Sequence, residues 1–348
     1  MKLLITGSSG FVGRYVVAEA LRRGHSVRAL IRPATALSDL KWTDHKNFEL
    51  VRADLRSKRG LVEAVSGADA VLHLAVSQDS DLYGVLAGTV VGTENLLEAM
   101  KQAKVERIVL ISSFSVYNYI KLRTWSELNE SCAVEAEPEK RDYYCLTKLM
   151  QENLVRAAGT EYGLRFTLLR PGAIFGKGHV WTSRLGIALS DRVWIRLGAW
   201  AKLPLSYVEN CAEAVVMCAE KEEAVGKTFN VIDDETPSQR LYSRQLQRYL
   251  NPCPHIVPVP WTLVRTLARI AWFSNRLLFK GKAKVPQVLS PASVHARFKP
   301  LYYSNRSLKE SIGWRPRYSL AEALERSFAL ESTDEVASHH ESNKIQTY

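Results

Sequence analysis

Lys2-Leu3-Leu4-Ile5-Thr6-Gly7-Ser8-Ser9-Gly10-Phe11-Val12-Gly13 decides the fold. An apolar, strand-forming run meets three glycines spaced three apart, and a helical pattern over about residues 12–23 follows at once. Gly7 permits a tight turn. Gly10 removes a side chain where backbone must approach a pyrophosphate, and Gly13 lets helix and strand pack closely. The free N–H groups at the helix start then face the anion. A glycine triplet alone says little; between a first strand and a first helix it reads as a dinucleotide-binding turn.

Outward from that turn, strand and helix alternate. Strands are expected over Lys2–Thr6, Ser26–Ile31, Phe48–Arg52, Ala70–Ala75, Arg107–Ser112 and Arg165–Leu169. Helical patterns lie near 12–23, 58–66, 89–103 and 144–158. The rhythm predicts an α/β fold: a Rossmann-type doubly wound parallel sheet covered on both faces. Ile108-Val109-Leu110-Ile111 fits a strand buried on both sides. After Pro171 the rhythm breaks, with a helix near 209–221, a strand at Thr228–Ile232, a helix after Thr236 and a long helix from Trp261. Residues 1–170 are therefore expected to bind the dinucleotide, and 171–330 to form a smaller C-terminal substrate lobe partly interleaved with it. The polar stretch 331–348 has no periodicity and is expected to be a disordered tail.

The chain has 348 residues, 46% hydrophobic and 24% charged, so it can bury a large core. No apolar run reaches the length of a membrane span, and no secretory leader pattern precedes Thr6-Gly7, so a cytoplasmic protein is expected. Five cysteines (132, 145, 211, 218 and 253) form no Cys-x-x-Cys. They read as reduced, mostly buried residues, neither a disulfide frame nor a metal site. The net charge of +11 is concentrated: residues 254–320 hold twelve Lys or Arg and one acid, Glu310. That window is either a solvated face or the mark of an anionic partner. No nucleic-acid motif accompanies it.

The opening Thr-Gly-x-x-Gly-Phe-Val-Gly resembles the extended short-chain dehydrogenase/reductases, the NAD-dependent epimerase/dehydratase family. The resemblance implies that Gly7, Ser9, Gly10, Phe11, Val12 and Gly13 cradle a nicotinamide dinucleotide. It also implies that Asp54-Leu55 lies beside the adenine and that Leu74-Ala75-Val76 lines the adenosine ribose. An acid that would favour NAD is replaced by Ile31, and Arg32 follows, a guanidinium suited to a 2′-phosphate. NADP is therefore expected, with NAD as the alternative.

The family's chemical signature, Tyr-x-x-x-Lys, occurs twice, at Tyr117–Lys121 and Tyr144–Lys148. Tyr144 opens a helical pattern, so Lys148 falls one turn on, on the same side. Tyr117 ends Ser112-Ser113-Phe114-Ser115-Val116-Tyr117, which resembles the segment that supplies the family's catalytic hydroxyl. That alignment gives Ser113 this role and puts Ser112 beside the cofactor. A phenol ordinarily titrates near ~10, too high for a proton carrier at neutral pH. Lys148 is expected to lower that value, and the resemblance implies that it also holds the nicotinamide ribose.

Dehydratases of the family need an acid pair where this chain has Phe114 and Ser115, so that chemistry is excluded. Epimerases commonly carry Asn where Arg170-Pro171-Gly172-Ala173-Ile174-Phe175-Gly176 has Ala173. This segment is more similar to the 3β-hydroxysteroid dehydrogenase-like and dihydroflavonol reductase-like branches, and Pro171, Gly172, Ala173 and Ile174 are expected along the nicotinamide. Tyr207-Val208-Glu209-Asn210 and Ile312-Gly313-Trp314-Arg315-Pro316 resemble two later family segments. The reading is an NAD(P)-dependent oxidoreductase acting on a secondary alcohol or ketone, with an NDP-sugar epimerase and a non-catalytic NADP sensor as rivals. A small-molecule substrate is implied, and the resemblance implies a homodimer through the helices near 89–103 and 144–158.

Residues 261–280 form an amphipathic pattern. Arg265, Arg269, Arg276 and Lys280 share a narrow stripe, with Leu263, Val264, Leu267, Ile270, Ala271, Leu277 and Leu278 opposite. Peripheral contact with a membrane through 261–284 is one expectation; a helix packed on the substrate lobe with its arginines in water is the other.

Overall fold

The computed structural model describes residues 1–36, 42–77, 79, 81–278 and 290–329, without the side chains of Arg276 and Leu278. The expected tail, 331–348, and the basic residues 280, 282 and 284 lie outside the described residues.

The first part of the chain builds β1 (Lys2–Thr6), α1 (Phe11–Arg22), β2 (Ser26–Ile31), β3 (Phe48–Arg52), α2 (Leu61–Val65) and β4 (Ala70–His73). Next come α3 (Leu82–Val85), a wide π-type turn (Leu86–Val91), α4 (Gly92–Ala103), β5 (Arg107–Ile111), β6 (Glu127–Leu128), α5 (Tyr143–Tyr162) and β7 (Arg165–Pro171). The later part holds β8 (Ala173–Phe175), β9 (Gly186–Ser190), β10 (Val193–Leu197), β11 (Leu205–Tyr207), α6 (Val208–Glu220) and β12 (Thr228–Val231). It ends with α7 (Gln239–Gln247), β13 (His255–Val259), α8 (Trp261–Leu278), α9 (Pro291–Phe298), β14 (Tyr302–Tyr303), α10 (Arg306–Ile312) and α11 (Leu320–Phe328).

Seven strands form one parallel sheet in the order β12-β7-β5-β4-β1-β2-β3. Alternate residues of β1 explain why it lies in the middle. Leu3 and Ile5 enter a core with Val16, Val17, Val215 and Phe229 on one face. Leu4 points the other way, into a core with Val71, Met100, Ile108 and Val155. A strand apolar on both faces needs a helical layer on each, here α1 and α6 against α2, α4 and α5. The strand order reverses between β1 and β4, so a crevice opens above their carboxyl ends.

The later chain is interleaved with this sheet: β12 extends it beside β7, and α6 packs on α1. The remaining elements form a smaller body, with the sheet β13-β10-β9 and the parallel pair β11–β8. Asn210 latches the C-terminal segment to it. Its Oδ1 accepts the backbone N–H groups of Arg317 and Tyr318, each at 3.0 Å, and its carbonyl accepts the buried Trp314 indole at 3.3 Å. Cys145, Cys211 and Cys218 are buried, Cys132 is half-buried, Cys253 is exposed, and none is bridged.

Helix α8 is packed on its neighbours with Arg269 in water, and its broad apolar side is the one left outside. The helix packs through a narrow seam, Val264 and Ala268, against Leu197, Val294 and Phe298. Its broad apolar side faces outward, with Phe273 61% and Leu277 69% exposed. Beside small Ala268, the α9 and β10 side chains come close enough to fill that narrow seam and leave the larger residues outside.

Candidate active site

The glycine turn sits at the mouth of the crevice. Gly7 has φ +70°, and a Cβ there would lie 2.9 Å from the Ala75 nitrogen. A Cβ on Gly13 would lie 2.0 Å from the Gly7 carbonyl oxygen, so helix and turn can touch only with hydrogen at that position. Helix α1 starts at Gly10 with no side-chain cap, which leaves its first N–H groups to an anion. Phe11 and Val12 are half-buried, and Phe11 stacks on His179 with ring centroids 4.0 Å apart. Ser9 lies at the turn and presents its carbonyl to the Arg14 side chain. These features fit a dinucleotide diphosphate.

The two ends of the expected adenosine site differ in charge state. Arg32 is exposed just past β2. Asp54 follows β3, and its carboxylate is held by Arg56 through contacts of 3.1 and 2.7 Å. The Arg56 hydrogen bond keeps Asp54 below its ordinary value, and the Arg32 charge adds to this. Leu55 is buried, and Leu74, Ala75 and Val76 continue β4 along the crevice wall.

At the other end, Gly172 leaves β7 beside a crossing segment; a Cβ there would fall 2.1 Å from the Pro204 carbonyl oxygen. Pro171 ends β7, and Ala173 and Ile174 are half-buried in β8. Ala173 has no side chain able to take the Asn role.

Helix α5 brings the reacting groups together. Asp142 caps it, accepting the Cys145 N–H at 2.6 Å, and Tyr144 follows in the first turn with 44% of its surface exposed. The Tyr144 phenol lies close to the Ser113 hydroxyl, which acts to lower its pKa. Ser113 Oγ also accepts the Ser115 N–H at 3.1 Å, which orients it. The second Tyr-x-x-x-Lys is different: Tyr117 is fully buried, donates to Asn230 Oδ1 at 2.6 Å and lies under the Arg170 guanidinium.

Lys148 corrects one expectation. Its amine is buried and donates to the Ile111 carbonyl at 2.8 Å and to Gln151 Oε1 at 3.0 Å. Burial pushes it down to about 8, against the opposing charge of Glu152. The Tyr144 phenol is pushed up, not down: burial outweighs the nearby Ser113 hydroxyl, and Lys148 is not among the groups that act on it.

Two buried networks escaped the sequence reading. Glu152, one turn beyond Lys148, accepts Ser112 Oγ at 2.5 Å and pairs with Arg170 at 2.9 and 2.7 Å. Its place four residues after Lys148, itself four after Tyr144, was the available signal. The second network runs from the glycine turn to the amine. Thr93 donates its hydroxyl proton to the Thr89 carbonyl at 2.6 Å. It must therefore accept from both His73 Nε2 at 2.9 Å and Gln151 Nε2 at 2.8 Å. His73 Nδ1 is then left to accept from Thr6 Oγ1 at 2.7 Å. Burial keeps His73 neutral, at about 3, which this arrangement requires.

The sequence profile of the NAD dependent epimerase/dehydratase family matches residues 3–231. The chain belongs to that family. It is accordingly an NAD-dependent enzyme of the extended short-chain type, a dehydrogenase or an epimerase. It is 27% identical over 344 residues to 3-beta-hydroxysteroid dehydrogenase of Mycolicibacterium neoaurum, covering 93% of this chain and 89% of that one. It is 31% identical over 238 residues to cinnamoyl-CoA reductase 1 of Oryza sativa subsp. japonica, covering 64% and 69%. In fold it is similar to UDP-glucose 4-epimerase of Thermus thermophilus, with a TM-score of 0.68, 21% identity and coverage of 94% and 97%. Among the described residues no cluster of side chains could hold a metal ion, and no helix is long and apolar enough to cross a membrane.

Proposed function

We propose that this member of the family is an NADP(H)-dependent oxidoreductase that moves a hydride between nicotinamide and a secondary alcohol or ketone. The observation that carries this reading is the Tyr144 phenol close to the Ser113 hydroxyl, with the Lys148 amine one helical turn on held at the end of β5. Ser113 donates a hydrogen bond to the substrate oxygen as its charge changes. In reduction Tyr144 gives that oxygen its proton; in oxidation it takes the proton of the hydroxyl. A phenol raised by burial is suited to the donating direction. The dinucleotide supplies or accepts the hydride and, when oxidised, adds a positive charge beside the phenol. Lys148 is held by Ile111 and Gln151 so that its remaining proton can meet the nicotinamide ribose.

Gly7, Ser9, Gly10, Phe11, Val12 and Gly13 hold the diphosphate in this reading. Asp54, Leu55, Leu74, Ala75 and Val76 line the adenosine end, and Ser112, Pro171, Gly172, Ala173 and Ile174 the nicotinamide end. Arg32 selects the 2′-phosphate, supported by its exposure and by Ile31 in the acid's place. Ala173 weighs against an epimerase. The reading also includes a homodimer through α4 and α5, and peripheral membrane contact through 261–284. The test is a panel of apolar ketones and of UDP-sugars with purified protein, followed by nicotinamide absorbance. Consumption of NADPH with a ketone supports the reading. Sugar interconversion without net change in nicotinamide overturns it.

A further inference from the structure

We infer that the outward side of α8 is a docking surface for an anionic lipid bilayer, with the helix lying in the plane of the interface. This deepens the peripheral contact named above. It is independent of the hydride-transfer reading, because binding to vesicles is measured without substrate.

The first observation is the orientation of the helix. Leu263, Leu267, Ile270, Phe273 and Leu277 are all exposed, while the seam on the protein is Val264 and Ala268. At ~100° per residue the five exposed residues share one broad outward stripe. A water-facing helix would carry polar residues there, because each large apolar side chain left in water forgoes its burial.

The second observation is charge. Arg269 is exposed and Arg265 half-buried, and both flank the apolar stripe along one side. Along the sequence, the window 254–320 that contains them holds twelve basic residues and a single acid, Glu310, although Lys309 and Arg317 in it are paired with acids elsewhere in the fold. Nearby His295 is held at about 4, first by burial and then by the charges of Lys299, Arg269 and Arg265. An apolar stripe with cations along its edge matches the acyl and headgroup layers of an anionic leaflet. The same cations weigh against a second copy as the occupant, since a self-complementary contact would press like charges together.

The third observation is a cavity at the root of the helix. A largely apolar space of about 590 Å³ lies between the first turn of α8 and the segment Gly198–Ala201, with Trp125, Trp200, Trp261 and Phe298 in its wall. Trp200 and Trp125 are also exposed. Amphipathic rings of this kind favour the membrane–water interface. The α8 residues in its lining are Trp261, Thr262 and Arg265, so the cavity adjoins the basic edge of the helix that the bilayer surface would hold.

The test is co-flotation of the full chain with vesicles of phosphatidylcholine alone or mixed with phosphatidylglycerol, at low and high salt. Binding is expected on the mixed vesicles at low salt, and weaker binding on phosphatidylcholine or at high salt. Replacing Ile270→Glu and Phe273→Glu together, at exposed positions outside the packed seam, should cut the bound-to-free ratio at least ~10-fold. Arg269→Glu should cut it several-fold on the mixed vesicles only. Circular dichroism shows whether each variant is folded. The inference is overturned if the wild-type chain ignores mixed vesicles at low salt. It also fails if a folded Ile270→Glu/Phe273→Glu variant binds as well as wild type. A dimer that this variant splits, without vesicle binding, would assign the face to a second copy and defeat the inference as well.

Discussion

Replacing Gln151→Met should move the alkaline edge of activity downward. Gln151 is fully buried, and its Oε1 is one of two acceptors holding the Lys148 ammonium, at 3.0 Å. Methionine keeps much of the shape and removes the acceptor, leaving the Ile111 carbonyl alone. A hydrogen bond to a charged group contributes roughly 1.5–3 kcal/mol, and one pH unit corresponds to about 1.4 kcal/mol. The ammonium is the working form, so activity falls as pH rises through the value at which the amine loses its proton. In the wild type that value is about 8. In Gln151→Met the fall should come roughly one to two pH units lower. Gln151→Glu places a carboxylate beside the amine and should move the fall upward. The assay is kcat/KM for the dinucleotide as a function of pH. If both variants keep the wild-type midpoint, Gln151 does not tune Lys148 and the network from Thr6 to the amine has no bearing on catalysis.

Arg32→Ser should reduce the preference for NADP over NAD by ~10- to 100-fold, read as the ratio of kcat/KM values, because a charge-assisted contact to the 2′-phosphate is lost. An unchanged ratio removes Arg32 from cofactor selection. Ser113→Ala should lower kcat by ~100- to 1,000-fold with little change in dinucleotide affinity, as expected for a donor that acts mainly on the developing charge; a loss confined to affinity contradicts that role. Glu152→Gln leaves Arg170 buried without its carboxylate partner and should cost about 3–5 kcal/mol of stability in urea unfolding. A cost near zero would mean that the pair is compensated elsewhere.

The cofactor half was legible because its constraints are local. Glycine positions, β-branched strands and the i, i+4 pair Tyr144–Lys148 are each fixed by backbone geometry over a few residues. Gly13 shows why: the carbonyl that excludes a side chain there belongs to Gly7, six residues away. The surroundings of Lys148 were not legible. Its partners come from β5 and, through Gln151, from residues near 6, 73 and 93, and only the folded sheet brings these together. The same reason explains α8. Periodicity separates an apolar from a basic side but does not say which side meets the protein; that was decided by the small Ala268 and its close neighbours on β10 and α9.

The account rests on the Tyr144 phenol as the proton carrier. The most direct measurement is single-turnover NADPH oxidation by Tyr144→Phe with a ketone that the wild-type protein reduces, alongside dinucleotide binding by the same variant. A rate lower by ~100- to 10,000-fold with binding intact is the predicted result. A rate equal to that of the wild type would contradict the account.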